Sequence, residues 1–426
     1  MRPTSALFLL FAALAGCAGA SAPRHPAAPS TLAADAAEQR APVTILISID
    51  GFRPDYLDRG ITPSLSQLAA AGVRAEMRPS FPSKTFPNHW TVVTGLRPDR
   101  NGIVSNRIED PEGKRRAFTM ATDDPWWWNA APPVWVDAEK AGIRTAAMFW
   151  PGSNVAVGGT RDDQWPNDIT GGVRPDDWVP FSGYVDDRQR VDTVVDWLRR
   201  PATSRPRFVT LYFDIVDTAG HRFGPNDPRT DAAIAEADAA VGALVAQLVA
   251  LRQPADILIT SDHGMAQVTG DRIVQVRDLA SPEDGRVVED GVFASFAPLP
   301  GREAQLAASL SRSRPHVQCW PKEQIPARFH YGRNPRVPPW FCLADPGWRI
   351  VEGKPNREEG GEHGYDNDAP DMRALFIASG PAFRRGVTLP SFDNVDIYPL
   401  LRRLLGLPPA TDVDGSDAAF DDALTR

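Results

Sequence analysis

Cysteine is scarce in this sequence, with three residues among 426. That excludes a disulfide-dense scaffold and a cysteine-rich zinc module. An excess of positive charge is also missing. Lys and Arg number 46 against 54 Asp and Glu, a formal charge of −8, which argues against a role in coating nucleic acid, where a basic stripe is the rule. No internal repeat of useful period is visible. The 33 glycines and 41 prolines amount to about one residue in six, below the roughly 25–30 % that marks low complexity. They imply long ordered loops. What remains is globular: 42 % hydrophobic and 23 % charged residues suffice for a large core and exclude disorder, coiled coil and collagen.

The N-terminus reads as an address. Arg2 supplies a positive start, and the apolar run from Ala6 to Ala15 is too short to span a bilayer. It ends in Leu14-Ala15-Gly16-Cys17, which resembles the lipobox of bacterial lipoproteins, where the cysteine is acylated and becomes the first mature residue. Cleavage after Ala18-Gly19-Ala20 is the competing reading. Both predict export. The expected organisation is a lipoprotein-type signal peptide over 1–17, a flexible Ala/Pro/Ser-rich tether over 18–41, and a catalytic domain over 42–426. The expected location is the bacterial periplasm, with membrane attachment if Cys17 is acylated.

The body reads as α/β. Val43–Ile49 is a continuous apolar run, the mark of a strand buried on both faces of a parallel sheet. Similar runs lie at Thr145–Phe149, Phe208–Phe213, Ile257–Thr260 and Ala374–Ala378. Helical patterns at Pro63–Ala71, Asp186–Arg199, Asp231–Leu251 and Val395–Leu405 alternate with them, which predicts a doubly wound fold. Ligands in such sheets bind beyond the carboxyl ends of the strands. Asp50, Asp217 and Asp262-His263 follow the first, third and fourth runs, so the loops there are where chemistry is expected. Residues 281–350, rich in Pro and Trp, read as an irregular insertion.

Three of only seven histidines stand in Asp217-Thr-Ala-Gly-His221, Asp262-His263-Gly264 and His363-Gly-Tyr-Asp-Asn367. Carboxylate and imidazole ligands without thiolate suit zinc, manganese or iron in an open catalytic site. A strand-end Asp-Gly alone is more often a turn, and a lone His is more often structural. Their joint occurrence after buried strands carries the metal reading.

The most specific stretch is Ser83-Lys84-Thr85-Phe86-Pro87-Asn88-His89-Trp90, continuing to Asn101-Gly102-Ile103-Val104-Ser105-Asn106. Together with Asp50-Gly-Phe-Arg and the three histidine motifs, it resembles the nucleotide pyrophosphatase/phosphodiesterase family of the alkaline phosphatase superfamily, from about Val43 to Leu407. The resemblance implies an alkaline-phosphatase-like α/β fold, with a mostly parallel central sheet, helices on both faces and the insertion before the last strands. It also implies two zinc ions. Asp217, His221 and His363 would hold one; Asp50, Asp262 and His263, with the Thr85 oxygen, the other. Asn106 would donate to a non-bridging phosphate oxygen, and Phe86 and Trp178 would flank a nucleobase. Asn101 stands where relatives carry a non-ligand His, with no expected catalytic consequence.

Thr85 needs activation because a free hydroxyl is a poor nucleophile at neutral pH. Pro87 suits the first turn of a helix whose amino end would favour the phosphate. The expected reaction is hydrolysis of nucleotide phosphodiester and phosphoanhydride bonds, in dinucleotides among others, through a phospho-Thr85 intermediate that releases a nucleoside 5'-monophosphate. Cys319-Trp-Pro-Lys-Glu323 lacks the arginine of a sulfatase motif. Neutral Asn106 fits a monoanionic diester better than a dianionic monoester, although Lys84 leaves a phosphomonoesterase open. Cleavage of choline-phosphate lipids is a further alternative, and a non-catalytic surface lipoprotein is the alternative from another class. A monomer is expected. The acidic Asp412–Asp417 stretch does not match calcium-loop spacing. Cys319 and Cys342, in a protein folding outside the cytosol, are expected to form a disulfide.

Overall fold

All seven residues from Val43 to Ile49 are buried, as a strand covered on both faces requires. The computed structural model describes residues 39–355 and 358–425; the signal peptide, most of the tether and Cys17 lie outside them. Strand β1 (Val43–Ile49) belongs to a nine-stranded sheet. In chain order the next members are β2 (Val73–Arg78), β3 (Thr145–Met148), β4 (Asp177–Val179), β5 (Phe208–Phe213) and β6 (Ala255–Thr260). A separate sheet follows, made of β7 (Gly285–Glu289), β8 (Phe293–Pro298), β9 (Val317–Pro321) and β10 (Trp340–Ala344). The chain then returns to the first sheet with β11 (Ala374–Ser379), β12 (Val387–Thr388) and β13 (Phe392–Asp393).

Across the large sheet the order is β12-β2-β11-β6-β1-β5-β3-β4, with β13 also pairing with β2. Only β11 runs against its neighbours β2 and β6; the other pairings are parallel. The reversal matters for the site. It puts the amino end of β11 at the edge where its neighbours end, with Ala374 opposite Met77 and Phe376 opposite Thr260. β2 escapes a search for apolar runs because Arg74, Glu76 and Arg78 interrupt it; only Val73, Ala75 and Met77 are buried.

Helices α1 (Pro63–Ala71), α2 (Thr85–Thr94), α3 (Asp187–Arg199), α4 (Ile215–Phe223), α5 (Pro228–Ala250) and α6 (Ile397–Leu405) cover both faces. Because side chains alternate along a strand, Ile45, Ile47 and Ile49 share a core with Leu65 of α1, Val194 of α3 and Val241 of α5. Leu46 faces the other way, into a core with Val93 of α2 and Leu400 of α6. A capping box between Asp186 and Gln189 starts α3. Helix α5 is long and apolar enough to cross a membrane by length and composition, yet Ile234, Ala237, Val241 and Leu244 are buried in the core as in a soluble domain.

Residues 281–350, expected to be irregular, contain the regular antiparallel sheet β7-β8-β10-β9. Its strands are short, and Pro298 and Pro321 end two of them, so no run signals them locally. The pairing is set by contacts between distant segments. Cys319 and Cys342 lie directly opposite each other on β9 and β10 and are joined by a disulfide. Phe341 of this sheet packs against Phe81, four residues before Thr85, with ring centroids 5.6 Å apart.

Candidate active site

Thr85 opens α2, the only helix among the six whose ten residues are all buried. Asn88 ties down the turn before it. Its Oδ1 accepts the Ser80 N–H at 2.7 Å, and its Nδ2 donates to the Pro82 and Lys84 carbonyls at 3.0 and 2.8 Å. His89 fastens the same turn to β1: its Nε2 accepts the Ser48 hydroxyl at 2.8 Å while Nδ1–H donates to the Thr85 carbonyl at 2.9 Å. Burial drives the His89 pKa down to about 3, so the ring stays neutral. Sequence reasoning assigned neither residue a role; their only signal was position, three and four residues after Thr85.

The Thr85 hydroxyl lies 3.3 Å from His263 Nε2. Around it, Asp50 follows β1 and Asp262-His263 follow β6, as the sequence led one to expect. Asp217 and His221 differ from that expectation: they sit on α4, one helical turn apart, and not in a loop. Gly220 reads locally as a helix breaker, but a side chain there would meet Met265, so close packing wins over propensity. His363 arrives from the segment leading into β11, which the reversed strand brings to this edge.

The ligand atoms of Asp217, His221 and His363 lie within 4.8 Å of one another, as do those of Asp50, Asp217 and His263, and of Asp50, His89 and Asp262. Every expected carboxylate and imidazole ligand is therefore in one cluster, with Asp217 and Asp50 each shared between two of its groupings. His263 Nε2 stands 2.9 Å from Asp262 and 3.6 Å from Asp50. The three histidines present a common tautomer to the centre. Nδ1–H donates to a backbone carbonyl in each: Gly361 for His221, Gly264 for His263 and Ser83 for His363, all at 2.9 Å. Each Nε2 lone pair then faces inward, the arrangement of metal-ligating histidines.

The residues fit a cation on a second count. Asp50 Oδ1, Asp217 Oδ1 and Asp262 Oδ2 are buried without a hydrogen-bond partner, although Tyr212 donates to the other oxygen of Asp50 at 2.6 Å and the Gly51 N–H to the other oxygen of Asp262 at 3.2 Å. Burial, then Asp262 and Asp217, hold the Asp50 carboxyl well above its usual range. Burial and Asp217 push Asp262 up to about 8. His363 is held well below the usual imidazole range by burial and by His263 and His221. Buried carboxylates gathered this closely demand compensating positive charge, which divalent ions supply. Gly51 makes room: its φ is +69°, and a Cβ there would stand 3.1 Å from Asp217.

A cavity of about 280 Å³ opens on this cluster, bounded by Asp50, Thr85, Phe86, Trp150, Asn154 and Phe181. Asn106 lies beside it, its Oδ1 accepting the Phe86 N–H at 2.9 Å. Trp178 does not line the cavity. Val179 does, and strand alternation turns Trp178 to the opposite face, where Arg174 lies 5.2 Å from its ring. The aromatic of this wall is Phe181, three residues on and half exposed. Lys84 Nζ extends to within 5.4 Å of the Phe293 ring on β8. Asn101 is fully buried and bonded to Leu96 and Ile103, a structural residue.

The family profile described as type I phosphodiesterase/nucleotide pyrophosphatase matches residues 44–366. The bis(5'-adenosyl)-triphosphatase enpp4 of Xenopus laevis is 36 % identical over 377 residues, 88 % of this chain and 80 % of the relative. An uncharacterized pyrophosphatase/phosphodiesterase of Schizosaccharomyces pombe is 37 % identical over 385 residues, 85 % of this chain and 77 % of the relative. Among solved structures, murine ectonucleotide pyrophosphatase/phosphodiesterase 5, as an inactive threonine-to-alanine variant in complex with AMP, superposes with a TM-score of 0.83 at 31 % identity, covering 90 % of this chain and 100 % of that one.

Proposed function

The chain belongs to the type I phosphodiesterase/nucleotide pyrophosphatase family and is a hydrolase of that family, and from that premise we propose that it cleaves nucleotide phosphodiester and phosphoanhydride bonds through Thr85. The observation that carries the reading is Thr85 at the amino end of α2, 3.3 Å from His263 and open to a cavity walled by aromatic rings. That the murine relative is inactive with alanine in place of a threonine and binds AMP supports the same assignment.

Asp217, His221 and His363 would hold one zinc ion, and Asp50, Asp262, His263 and Thr85 a second. When bound, two such ions would favour the deprotonated hydroxyl and neutralise charge on the attacking and leaving oxygens. The chain's own groups do the rest. The Thr85 oxygen attacks phosphorus and the P–O bond to the leaving group breaks, giving a phosphothreonine ester of the nucleotide. Water then attacks that phosphorus, restoring the threonine hydroxyl and releasing nucleoside 5'-monophosphate. The helix dipole at the start of α2 favours the phosphate's negative charge, although of its first amides the Phe86 N–H is taken by Asn106 and Pro87 has none. With its Oδ1 held by the Phe86 N–H, Asn106 presents Nδ2 as a donor to a non-bridging oxygen. Phe86 and Phe181 offer faces on which a base stacks.

Choline-phosphate esters fit the cavity less well. A trimethylammonium group is recognised by aromatic rings and uncompensated negative charge, and Asp214, the carboxylate on that wall, is paired with Arg190 at 2.8 Å. The proposal extends to export, on the strength of the N-terminal sequence. The deciding experiment compares kcat/KM for the p-nitrophenyl esters of thymidine 5'-monophosphate, phosphate and phosphocholine on purified, metal-analysed protein. Preference for the nucleotide ester is expected; preference for either of the others overturns the substrate assignment.

A further inference from the structure

Arg190 is 3 % exposed, in the first turns of α3, and contacts neither the metal-binding cluster nor the phosphate side of the cavity. Its side chain nevertheless reaches three of the segments beside the cavity. Nε donates to the Val185 carbonyl at 3.0 Å, in the connection that carries Phe181. Nη1 donates to the Tyr212 carbonyl at 3.0 Å, at the end of β5, and stands 2.8 Å from Asp214 Oδ1, the residue that leads into α4. Asp187 of its own helix lies farther off, at 3.4 Å.

The guanidinium also lies 5.0 Å from the Phe149 ring and 5.7 Å from Phe181. Those two rings meet edge to face at 5.3 Å, and both line the cavity. Phe149 has φ +57°, a strained conformation for a bulky residue. Such strain persists only where the surroundings over-determine it, and Arg190 is part of those surroundings. A planar guanidinium can stack on rings while its fork engages carbonyl and carboxylate; an ammonium cannot do both.

We propose that Arg190 is a positioning residue that makes the cavity selective for a neutral nucleobase over a cationic head group. It holds Phe149 and Phe181 in place and compensates the Asp214 carboxylate. This rests on the nucleotide reading of the site. Without the guanidinium, Phe181 keeps only its edge contacts with Phe149 and Tyr212 and Asp214 faces the cavity as an unpaired anion, which weakens base stacking and welcomes a trimethylammonium group.

The test measures p-nitrophenyl thymidine 5'-monophosphate against p-nitrophenyl phosphocholine, which share a leaving group, on the full chain. Arg190→Gln keeps a donor for the carbonyls but removes the charge. Its kcat/KM for the nucleotide ester should fall about tenfold, mainly through KM, within the range for losing one stacking contact, while the phosphocholine ester is unchanged or improves. An equal fall for both esters, or no fall, overturns the proposal. Should Arg190→Gln fail to fold, Arg190→Lys decides: it retains charge but cannot span Val185, Asp214 and the rings, so the selectivity ratio must still drop, and an unchanged ratio overturns the proposal. Phe181→Ala separates the two levels. If wild-type protein shows no nucleotide preference and Phe181→Ala none to lose, the nucleotide reading itself fails; if both report it and Arg190 does not, only the present inference fails.

Discussion

Asn106 Oδ1 accepts the backbone N–H of Phe86 at 2.9 Å. This bond orients the amide so that its NH2 group is the part left to face a phosphate held at Thr85. Asn106→Ala is expected to lower kcat by about 10²–10³, the loss typical of removing one oxyanion donor. Asn106→Asp should be no better, because it keeps the bond to Phe86 and sets a carboxylate against the phosphate. Steady-state kinetics on both variants check this, and an Asn106→Ala loss under about threefold would assign the residue a purely structural role.

Thr85→Ala removes the attacking oxygen while leaving the six expected carboxylate and imidazole ligands, Asp50, Asp217, His221, Asp262, His263 and His363, in place. Turnover of nucleotide esters should fall by several orders of magnitude with metal content nearly unchanged. Near-normal turnover in a variant with verified sequence and metal load would end the nucleophile assignment.

Chelation should abolish activity and lower the melting temperature, since the buried carboxylates lose their counter-charge. The pH dependence has a definite sign. The Asp262 pKa rises from its ordinary 3.8 to about 8 in the metal-free fold, chiefly through burial. An acid whose folded pKa is raised favours the protonated folded state, so its stabilisation is complete below the unfolded pKa and is lost as pH climbs toward the folded one. The gap in melting temperature between metal-loaded and chelated protein should therefore widen from pH 4 to pH 8, by calorimetry. A gap that narrows over this range would contradict the assignment.

Trp178→Ala should leave KM for nucleotide esters unchanged, whereas Phe181→Ala should raise it, by about five- to a hundredfold for the loss of one stacking face. The reverse result would return the base to the Trp178 side of β4.

Removing the cross-strand disulfide through Cys319→Ala with Cys342→Ala should cost about 3 kcal/mol, the chain-entropy value for closing a loop of this size. The two residues are 23 apart in sequence and belong to the second sheet. Denaturant unfolding measures the loss, and kcat at 25 °C should be unaffected.

Much of this protein is legible from local pattern. The largely apolar runs at β1, β5 and β6 read as buried strands because only hydroxyl side chains, and Asp256 near the start of β6, interrupt them, and the residues that follow them had to gather at one edge because parallel strands end together. The motifs around Thr85, Asp262 and His363 carried the family. Other features depended on partners far away in the chain. β2 and the four strands between 285 and 344 are too short or too charged to declare themselves, and only pairing with remote segments stabilises them. Trp178 and Phe181 are equally aromatic in sequence; the phase of a three-residue strand decides which one reaches the cavity. Side-chain identity and periodicity are local properties and are written in the chain. Which face a short strand presents, and that Arg190 sits beneath Phe149, Phe181 and Asp214, are set by packing between segments that no window of sequence contains.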